Sequence, residues 1–296
     1  MKKKIVVTGS DGFVGRYLVD LLKRGKDKVY PLDRKQVDIT KFLEVKKYLT
    51  KIKPDQVYHL AGFASSAGKD KNLIFKVNVE GTLNILKALK EIGRPCRVLL
   101  ASTAYVYGNT AKCATEKVAI SANSFYDQSK VKMEQESKKY LSDPSTSLRA
   151  SIEIVITRAT NHTGPGQKLG FVVPDFSSQI AKAKTGEKIV VGDLDAKRDL
   201  FDVRDCVRAY KIVMQKGKSG EVYNIGTGKP IAIRQILNKI ISISKKKILV
   251  TQDPSQMRPS DIAKNCVNAT KIKKLGWTPK IPVDRTLKDT YRSFTS

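Results

Sequence analysis

A chain of 296 residues that is 41% hydrophobic and 28% charged can bury a sizeable core, and its composition excludes a disordered or fibrous chain. No apolar stretch approaches the length of a membrane span, and Lys2, Lys3 and Lys4 lead straight into a strand pattern with too short an apolar run for a signal peptide. The formal net charge of +28 points first to a polyanion partner, but 42 of the 56 basic residues are Lys, scattered along the length with no basic stripe between aromatics; that favours a solvated lysine-rich surface over a nucleic-acid face.

The chain opens with Ile5, Val6 and Val7, a β-branched run ending at Thr8, and then places glycines at Gly9, Gly12 and Gly15. Phe13, Tyr17 and Leu21, with Val14, Leu18 and Leu22 beside them, share one face at helical spacing until Gly25. A second strand pattern, "KVYPLD", follows. Three glycines alone can mark an ordinary mobile turn. Set between a strand and a helix in a βαβ unit, they fit a dinucleotide site: one makes the turn, one admits a pyrophosphate and one lets the helix pack on the strand. Asp33 ends the second strand 18 residues past Gly15, where an acid usually binds the adenine-ribose hydroxyls, while Arg34 could instead receive a 2′-phosphate.

Phe42, Val45, Leu49 and Ile52 form the next helical face, closed by Pro54. "QVYHLAG" predicts a buried strand and a turn, residues 73–93 a long amphipathic helix, "RVLLAST" a strand, residues 125–141 another long helix and "SIEIVITR" a further strand. Strands alternating with helices predict an α/β chain with a Rossmann-type, doubly wound parallel sheet whose ligand lies beyond the carboxyl ends of the strands. Past Arg158 a glycine and proline loop, "NHTGPGQKLGF", gives way to shorter elements in mixed order. The expected division is a nucleotide-binding domain over 1–160, with 203–226 returning to its sheet, and a smaller mixed α/β substrate-binding lobe over 161–202 and 227–296. Cys96, Cys113, Cys206 and Cys266 lie far apart without a Cys-x-x-Cys, which predicts neither a zinc site nor a disulfide framework and a reducing, cytoplasmic setting.

Tyr126 and Lys130 stand one helical turn apart. A phenol titrates at about 10 in water, and a neighbouring ammonium favours the phenolate, so the pair can serve as a general acid and base with its tuner beside it. Tyr and Lys four apart are also common on solvated helices. Thr103, at the end of the preceding strand, supplies a hydroxyl at the same sheet edge, or merely caps a loop. The combination with the upstream glycine turn is more specific than any of its parts.

The segments "TGSDGFVG", "HLAG", "NVEGT", "STAYVYG", "YDQSK", "RATNHTGPGQ", "KRDLFDVRD", "EVYNIGTG", "RPSD" and "LGWTP" resemble, in order and over nearly the whole chain, the extended short-chain dehydrogenase/reductases that act on nucleotide sugars. Within that family "NHTGPGQ", "GFVVPDFSSQIA" and "VGDLDAKRDLFDVRDCVRAY" are most similar to reductases of GDP-linked 4-keto-6-deoxy sugars, with GDP-sugar 4,6-dehydratases close by. The resemblance implies that Tyr126 protonates a sugar keto oxygen as hydride arrives from NAD(P)H, that Thr103 holds that oxygen, and that Lys130 binds the nicotinamide ribose and lowers the Tyr pKa. It further implies that Asn161 contacts the sugar or its phosphate and that Arg198 and Arg258 clamp the diphosphate. The bland alternative for the two arginines is a surface salt bridge with Asp199 or Asp261.

For the cofactor, the resemblance adds Phe13 and Val14 to the glycine turn, Asp38 and Ile39 beside the adenine, and Leu60, Ala61 and Gly62 near the dinucleotide. NAD(H) is favoured on Asp33, with NADP(H) open; His59 is expected to be a packed strand residue. Ala104 and Tyr105 stand where the dehydratases carry the acid that removes a hydroxyl. Ser124 and Phe125 replace the common Pro before the catalytic Tyr, and Asn268 a commonly acidic residue. The expected product is a GDP-6-deoxyhexose such as GDP-D-rhamnose. A 4-epimerase or 4,6-dehydratase is the rival among enzymes, and a nucleotide-sensing or RNA-associated binding protein the rival of another class. The helices over 74–92 and 125–141 resemble those that pair into a homodimer in this family.

Overall fold

The β-branched runs become the middle of one sheet in the computed structural model, which describes residues 2–65, 70–141, 151–253, 255 and 262–295. In chain order the elements are β1 (Lys4–Thr8), α1 (Phe13–Lys23), β2 (Lys28–Leu32), α2 (Phe42–Ile52), β3 (Gln56–His59), α3 (Lys71–Phe75), α4 (Gly81–Ile92), β4 (Cys96–Thr103), α5 (Phe125–Ser137) and β5 (Ile152–Ala159). There follow β6 (Asn161–Thr163), α6 (Val172–Lys182), β7 (Lys188–Val191), β8 (Lys197–Arg198), β9 (Leu200–Asp202), α7 (Val203–Lys216), β10 (Val222–Ile225), β11 (Ile231–Ala232), α8 (Ile233–Ser244), β12 (Leu249–Gln252), β13 (Lys264–Asn265), α9 (Thr270–Lys273) and α10 (Val283–Arg292).

Six parallel strands lie in the order β10-β5-β4-β3-β1-β2. Successive strand residues face opposite sides. Ile5 and Val7 therefore pack with Leu18 and Leu22 of α1 and Val207 and Val213 of α7, while Val6 packs on the other side with Val45 and Leu49 of α2, Ile85 and Leu86 of α4 and Met133 of α5. Burial on both faces explains why these strands read as continuous apolar runs rather than alternating ones. The reversal of direction falls between the neighbouring strands β1 and β3, and their carboxyl ends, with that of β4, open on one edge.

Residues of α6, β7, α8 and α10 build a separate apolar cluster, with Ile180 of α6, Ile236, Leu237 and Ile240 of α8 and Leu287 of α10 at its centre, while Ala269, Ile272 of α9 and Trp277 pack back with α1 and α7. The strands outside the main sheet form small pairings: β12 with β7, β11-β8-β13, and β6 with β9. Among the described residues, no helix is long and apolar enough to cross a membrane.

Two expectations need correction. The helix expected over 73–93 is interrupted by a wide π turn at Lys76–Glu80. Asn78 sits in that turn, buried, accepting from the Phe63 amide at 2.8 Å and donating to Ser129 Oγ at 2.9 Å; bringing its amide to these partners is what the extra residue in the turn achieves. The cysteines also defy the reading from spacing, for Cys113 and Cys266 are joined in a disulfide. A backbone bridge between Ala114 and Val267 brings together residues 153 apart in sequence, a closeness that spacing cannot show. Cys96 and Cys206 are buried free thiols, each pushed up to about 12 by burial.

Candidate functional site

The glycine turn is made by backbone. Gly9 has a positive φ of 65°, and a Cβ there would lie 2.8 Å from the Ala61 amide nitrogen; a Cβ on Gly15 would overlap the Gly9 carbonyl. Helix α1 starts from Gly12 with no side chain capping it, so the amides of its first turn are left for an anion. Phe13 and Val14 open that turn.

Around this turn the other expected cofactor residues take defined positions. Asp33 Oδ1 accepts from the amides of Lys35 at 2.9 Å and Gln36 at 3.1 Å, which fixes the carboxylate at the end of β2, and Arg34 beside it is exposed. Asp38 turns its Oδ1 onto the amide and hydroxyl of Thr40 at 3.0 and 2.8 Å; burial pushes its carboxyl up, but these bonds and Arg34 hold it below the usual range. Ile39 is buried against Gly81. The amides of Leu60 and Ala61 both donate to Thr8 Oγ1, at 3.2 and 3.1 Å. A Cβ on Gly62 would lie 2.7 Å from Asn78 Oδ1 and 3.6 Å from Lys130 Nζ. The bare backbone at Gly9, Gly15 and Gly62, the open helix end and the placed carboxylate together fit a dinucleotide.

His59 belongs to the scaffold. Thr82 spends its hydroxyl proton on the Asn78 carbonyl at 2.7 Å, so it must accept from His59 Nε2–H at 2.9 Å, and His59 Nδ1 accepts from the Thr8 hydroxyl at 2.8 Å. The chain of single protons fixes the neutral tautomer. Burial and the nearby Lys130 ammonium push the ring down to about 3.

Helix α5 carries the candidate catalytic side chains. Ser124 Oγ accepts from the Asp127 amide at 3.1 Å, and the Asp127 carboxylate accepts from the Ser124 amide at 3.2 Å. This capping box settles the start that a Pro often shapes in the resembled family. Tyr126 lies close enough to Thr103 for that hydroxyl to favour its phenolate, and Lys130 Nζ donates to the Ala101 carbonyl at 2.8 Å while lying 6.0 Å from the Tyr126 ring centroid. Burial raises the Tyr126 phenol, the Thr103 hydroxyl lowers it, and Asp127 and Tyr105 add to the rise. The tuning expected of Lys130 is not seen in this arrangement, because its ammonium is turned to Ala101. Burial pulls Lys130 itself down to about 8, against the opposing pull of Glu134.

Glu134 was missed from sequence, although Tyr126, Lys130 and Glu134 follow one another at four-residue steps along one face. It accepts from Ser102 Oγ at 2.5 Å and Arg158 Nε at 3.0 Å, and both partners of this ion pair are nearly inaccessible. Arg158 Nη1 in turn donates to the Tyr107 hydroxyl at 2.9 Å, and that hydroxyl to Asn224 Oδ1 at 2.7 Å. Burial works against the Arg158 charge, but Glu134 more than offsets it.

The structure joins Asn161 to this edge and anchors Arg198 through one guanidinium nitrogen. Asn161, on β6, meets the Tyr105 hydroxyl at 3.2 and 3.3 Å. Arg198 is buried on β8 with Nη1 donating to the carbonyls of Ile262 at 2.6 Å and Lys197 at 3.0 Å. Asp199, the partner of its bland alternative, accepts instead from the Thr227 and Gly228 amides at 2.9 and 3.0 Å. Arg258 and Asp261 lie outside the described residues. From Gly9 through Ala61 and Gly62 to Lys130, the anion-ready turn and the phenol helix share one continuous edge, where proton transfer beside a bound nucleotide is geometrically possible.

Comparison with known proteins points the same way. Residues 5–226 match the NAD dependent epimerase/dehydratase family. The GDP-6-deoxy-D-mannose reductase of Pseudomonas aeruginosa is 29% identical, over 97% of this chain and 96% of that protein. The GDP-6-deoxy-D-talose 4-dehydrogenase of Aggregatibacter actinomycetemcomitans is 30% identical, over 91% and 90% respectively. Among solved structures, RMD from Pseudomonas aeruginosa complexed with NADPH superposes with a TM-score of 0.88 at 28% identity, covering 99% of both chains. The UDP-glucose 4-epimerase of Thermus thermophilus, complexed with NAD, gives 0.87 at 27% identity, covering 98% of both.

Proposed function

Since the chain belongs to the NAD dependent epimerase/dehydratase family, a family of enzymes, we propose that it reduces the 4-keto group of a GDP-4-keto-6-deoxy sugar to a GDP-6-deoxyhexose, GDP-D-rhamnose first among them. The observation that carries the reading is the pairing of Tyr126 with Lys130, whose Nζ lies 6.0 Å from the Tyr126 ring centroid, at the edge that runs through Gly62 to the glycine turn, with no carboxylate at positions 104 and 105. Similarity to a GDP-6-deoxy-D-mannose reductase and a GDP-6-deoxy-D-talose 4-dehydrogenase supports the GDP-linked 6-deoxy sugar.

A nicotinamide nucleotide supplies hydride when bound. The first-turn amides of α1, at Phe13, Val14 and Gly15, hold its pyrophosphate and Asp33 its adenine ribose, with Arg34 able to meet a 2′-phosphate; both NAD(H) and NADP(H) are accommodated on this reading. Lys130 holds the other ribose. Thr103 positions the keto oxygen and Tyr126, kept protonated by burial, passes its phenolic proton to that oxygen as negative charge develops on it. The sugar rests against Asn161, and Arg198 and Arg258 serve the diphosphate. With neither Ala104 nor Tyr105 able to act as a carboxylic acid, elimination of a neighbouring hydroxyl has no partner of the usual kind. On the same reading the protein is a homodimer through the outward faces of α4 and α5, and a monomer mass in light scattering at micromolar protein would count against that.

Purified protein mixed with NADPH or NADH and GDP-4-keto-6-deoxy-D-mannose should consume reduced cofactor with a GDP-6-deoxyhexose as product by NMR. No oxidation above background overturns the reading. Tightly retained NAD with sugar interconversion and no net cofactor use would replace it with a 4-epimerase, for which the Thermus thermophilus neighbour is the precedent.

A further inference from the structure

The residue that stands where an eliminating acid would be is built into the site. Strand β4 runs directly into one turn of 3-10 helix, Ala104–Tyr107, with Thr103 as its cap, and Thr103 Oγ1 accepts from the Tyr105 amide at 3.2 Å. Ala104, Val106 and Tyr107 are buried in a small apolar cluster with Ala114 and Val267. Tyr105 alone of the four is left half-buried, so the same turn that buries its neighbours presents this phenol at the edge of the sheet.

There the phenol has a partner and a neighbour. Its hydroxyl meets both side-chain atoms of Asn161, Oδ1 at 3.3 Å and Nδ2 at 3.2 Å. Asn161 opens β6, two residues past the end of β5, and Ala159 is the register partner of Thr103; Tyr105 and Asn161 thus rise side by side from adjacent strands. On its other side Tyr105 is close enough to Tyr126 to disfavour that phenolate. Thr103 stands between the two phenols, accepting from the Tyr105 amide and favouring the Tyr126 phenolate.

A hydroxyl carries one proton and two lone pairs, and an amide two protons and two lone pairs, so the long Tyr105–Asn161 contact leaves capacity on both. That remainder is a neutral donor and acceptor set next to the point where a carbonyl oxygen would sit. Its natural ligand is the hydroxyl on the carbon beside the carbonyl. A carboxylic acid there would serve to protonate and expel a hydroxyl one carbon further out, β to the carbonyl, which a 6-deoxy sugar no longer has. A phenol, which both donates and accepts a hydrogen bond, holds the hydroxyl beside the carbonyl in place.

We propose that Tyr105, braced by Asn161, is a specificity-determining residue that binds the hydroxyl adjacent to the sugar carbonyl and thereby decides which face of the ring meets hydride. The proposal rests on the reductase reading and deepens it. 6-Deoxymannose and 6-deoxytalose differ only in configuration at C4, so one such hydrogen bond, by fixing the ring's orientation, selects between them. A site that hydrogen-bonds a substrate hydroxyl discriminates strongly because losing the bond leaves its own polar groups unpaired.

The test compares wild type with Tyr105→Phe, which removes a single oxygen and should leave the melting temperature unchanged. With GDP-4-keto-6-deoxy-D-mannose and NADPH, wild type should give one C4 epimer by NMR. Tyr105→Phe should raise KM for the sugar at least tenfold, leave the Kd for NADPH within twofold by fluorescence, and yield a mixture of C4 epimers. Asn161→Ala should move in the same direction by less. An unchanged KM and a single epimer from Tyr105→Phe overturn this inference while the reductase reading stands. A wild type that turns over no keto sugar overturns both.

Discussion

Two helices begin at the same edge of the sheet and begin in opposite ways. α1 starts from Gly12 with no side-chain cap, while α5 is sealed by the reciprocal Ser124 and Asp127 bonds. The positive end of a helix and its spare amides are one resource. The first helix leaves that resource open to a phosphate, and the second uses it internally so that its first two turns can hold Tyr126 and Lys130 in place. On the proposed reading, binding and chemistry thereby fall to different helix ends, and changes at one should leave the other's function intact.

The largest effect should come from the side chain that the sealed helix carries. Tyr126→Phe removes the proton donor and should lower kcat by roughly 10²–10⁴-fold, with the Kd for NADPH, followed by fluorescence, unchanged. A parallel loss of cofactor affinity would show that the two ends are not independent. Next comes Glu134→Gln, which strips the buried Arg158 of its partner and should cost about 3–5 kcal/mol in denaturant unfolding. It should also move a pH limb. Lys130, already drawn down to about 8 by burial, must be charged to hold a ribose, so kcat/KM should fall as pH rises through that value. With Glu134 neutral, the influence that supports the charge is gone and the fall should begin at lower pH. A limb that stays in place would mean that Glu134 serves only the fold.

Gly15→Ala attacks the open end. Its methyl would overlap the Gly9 carbonyl, so the turn must shift, at a cost of about 1–3 kcal/mol. The Kd for NADPH should rise at least tenfold; a variant that binds NADPH as wild type does would mean that the turn is not the anion site.

The same contrast explains what the sequence discloses. The open end is written in one contiguous run, Gly9 to Gly15, because a backbone device needs only residues without side chains at set intervals. Tyr126 and Lys130 are legible for a similar reason, since a helix turns their spacing into a shared face. The alternation of strands and helices likewise announces a doubly wound parallel sheet. What supports these residues leaves no such trace. Glu134 finds Arg158 from another strand, Asn78 finds Ser129 from another helix at 2.9 Å, and Cys113 finds Cys266 across 153 residues. Each pairing is a product of the finished fold, invisible to periodicity, and the π turn around Asn78 follows from such bonds rather than from any local preference. Glu134 is the exception that could have been found, by extending the four-residue step of Tyr126 and Lys130 once more.

The smallest change bears most directly on the seal. Ser124→Ala removes the hydroxyl that accepts from the Asp127 amide at 3.1 Å, and loss of such a cap costs about 1 kcal/mol. Asp127 makes the cost pH-dependent. Its carboxyl is buried and raised by that burial, and the two Ser124 bonds are what oppose the rise. A carboxyl whose folded pKa is raised weakens the fold as pH climbs through that value and the charge must be buried. The deficit of Ser124→Ala should therefore be full at neutral pH and shrink toward about pH 4, near the ordinary carboxyl range, where a protonated Asp127 has no charge for the cap to support. Thermal melts of the variant and wild type at the two pH values would show it. Equal melting temperatures at both would mean that α5 does not depend on its seal, and the two helix ends would differ in hydrogen bonding without differing in function.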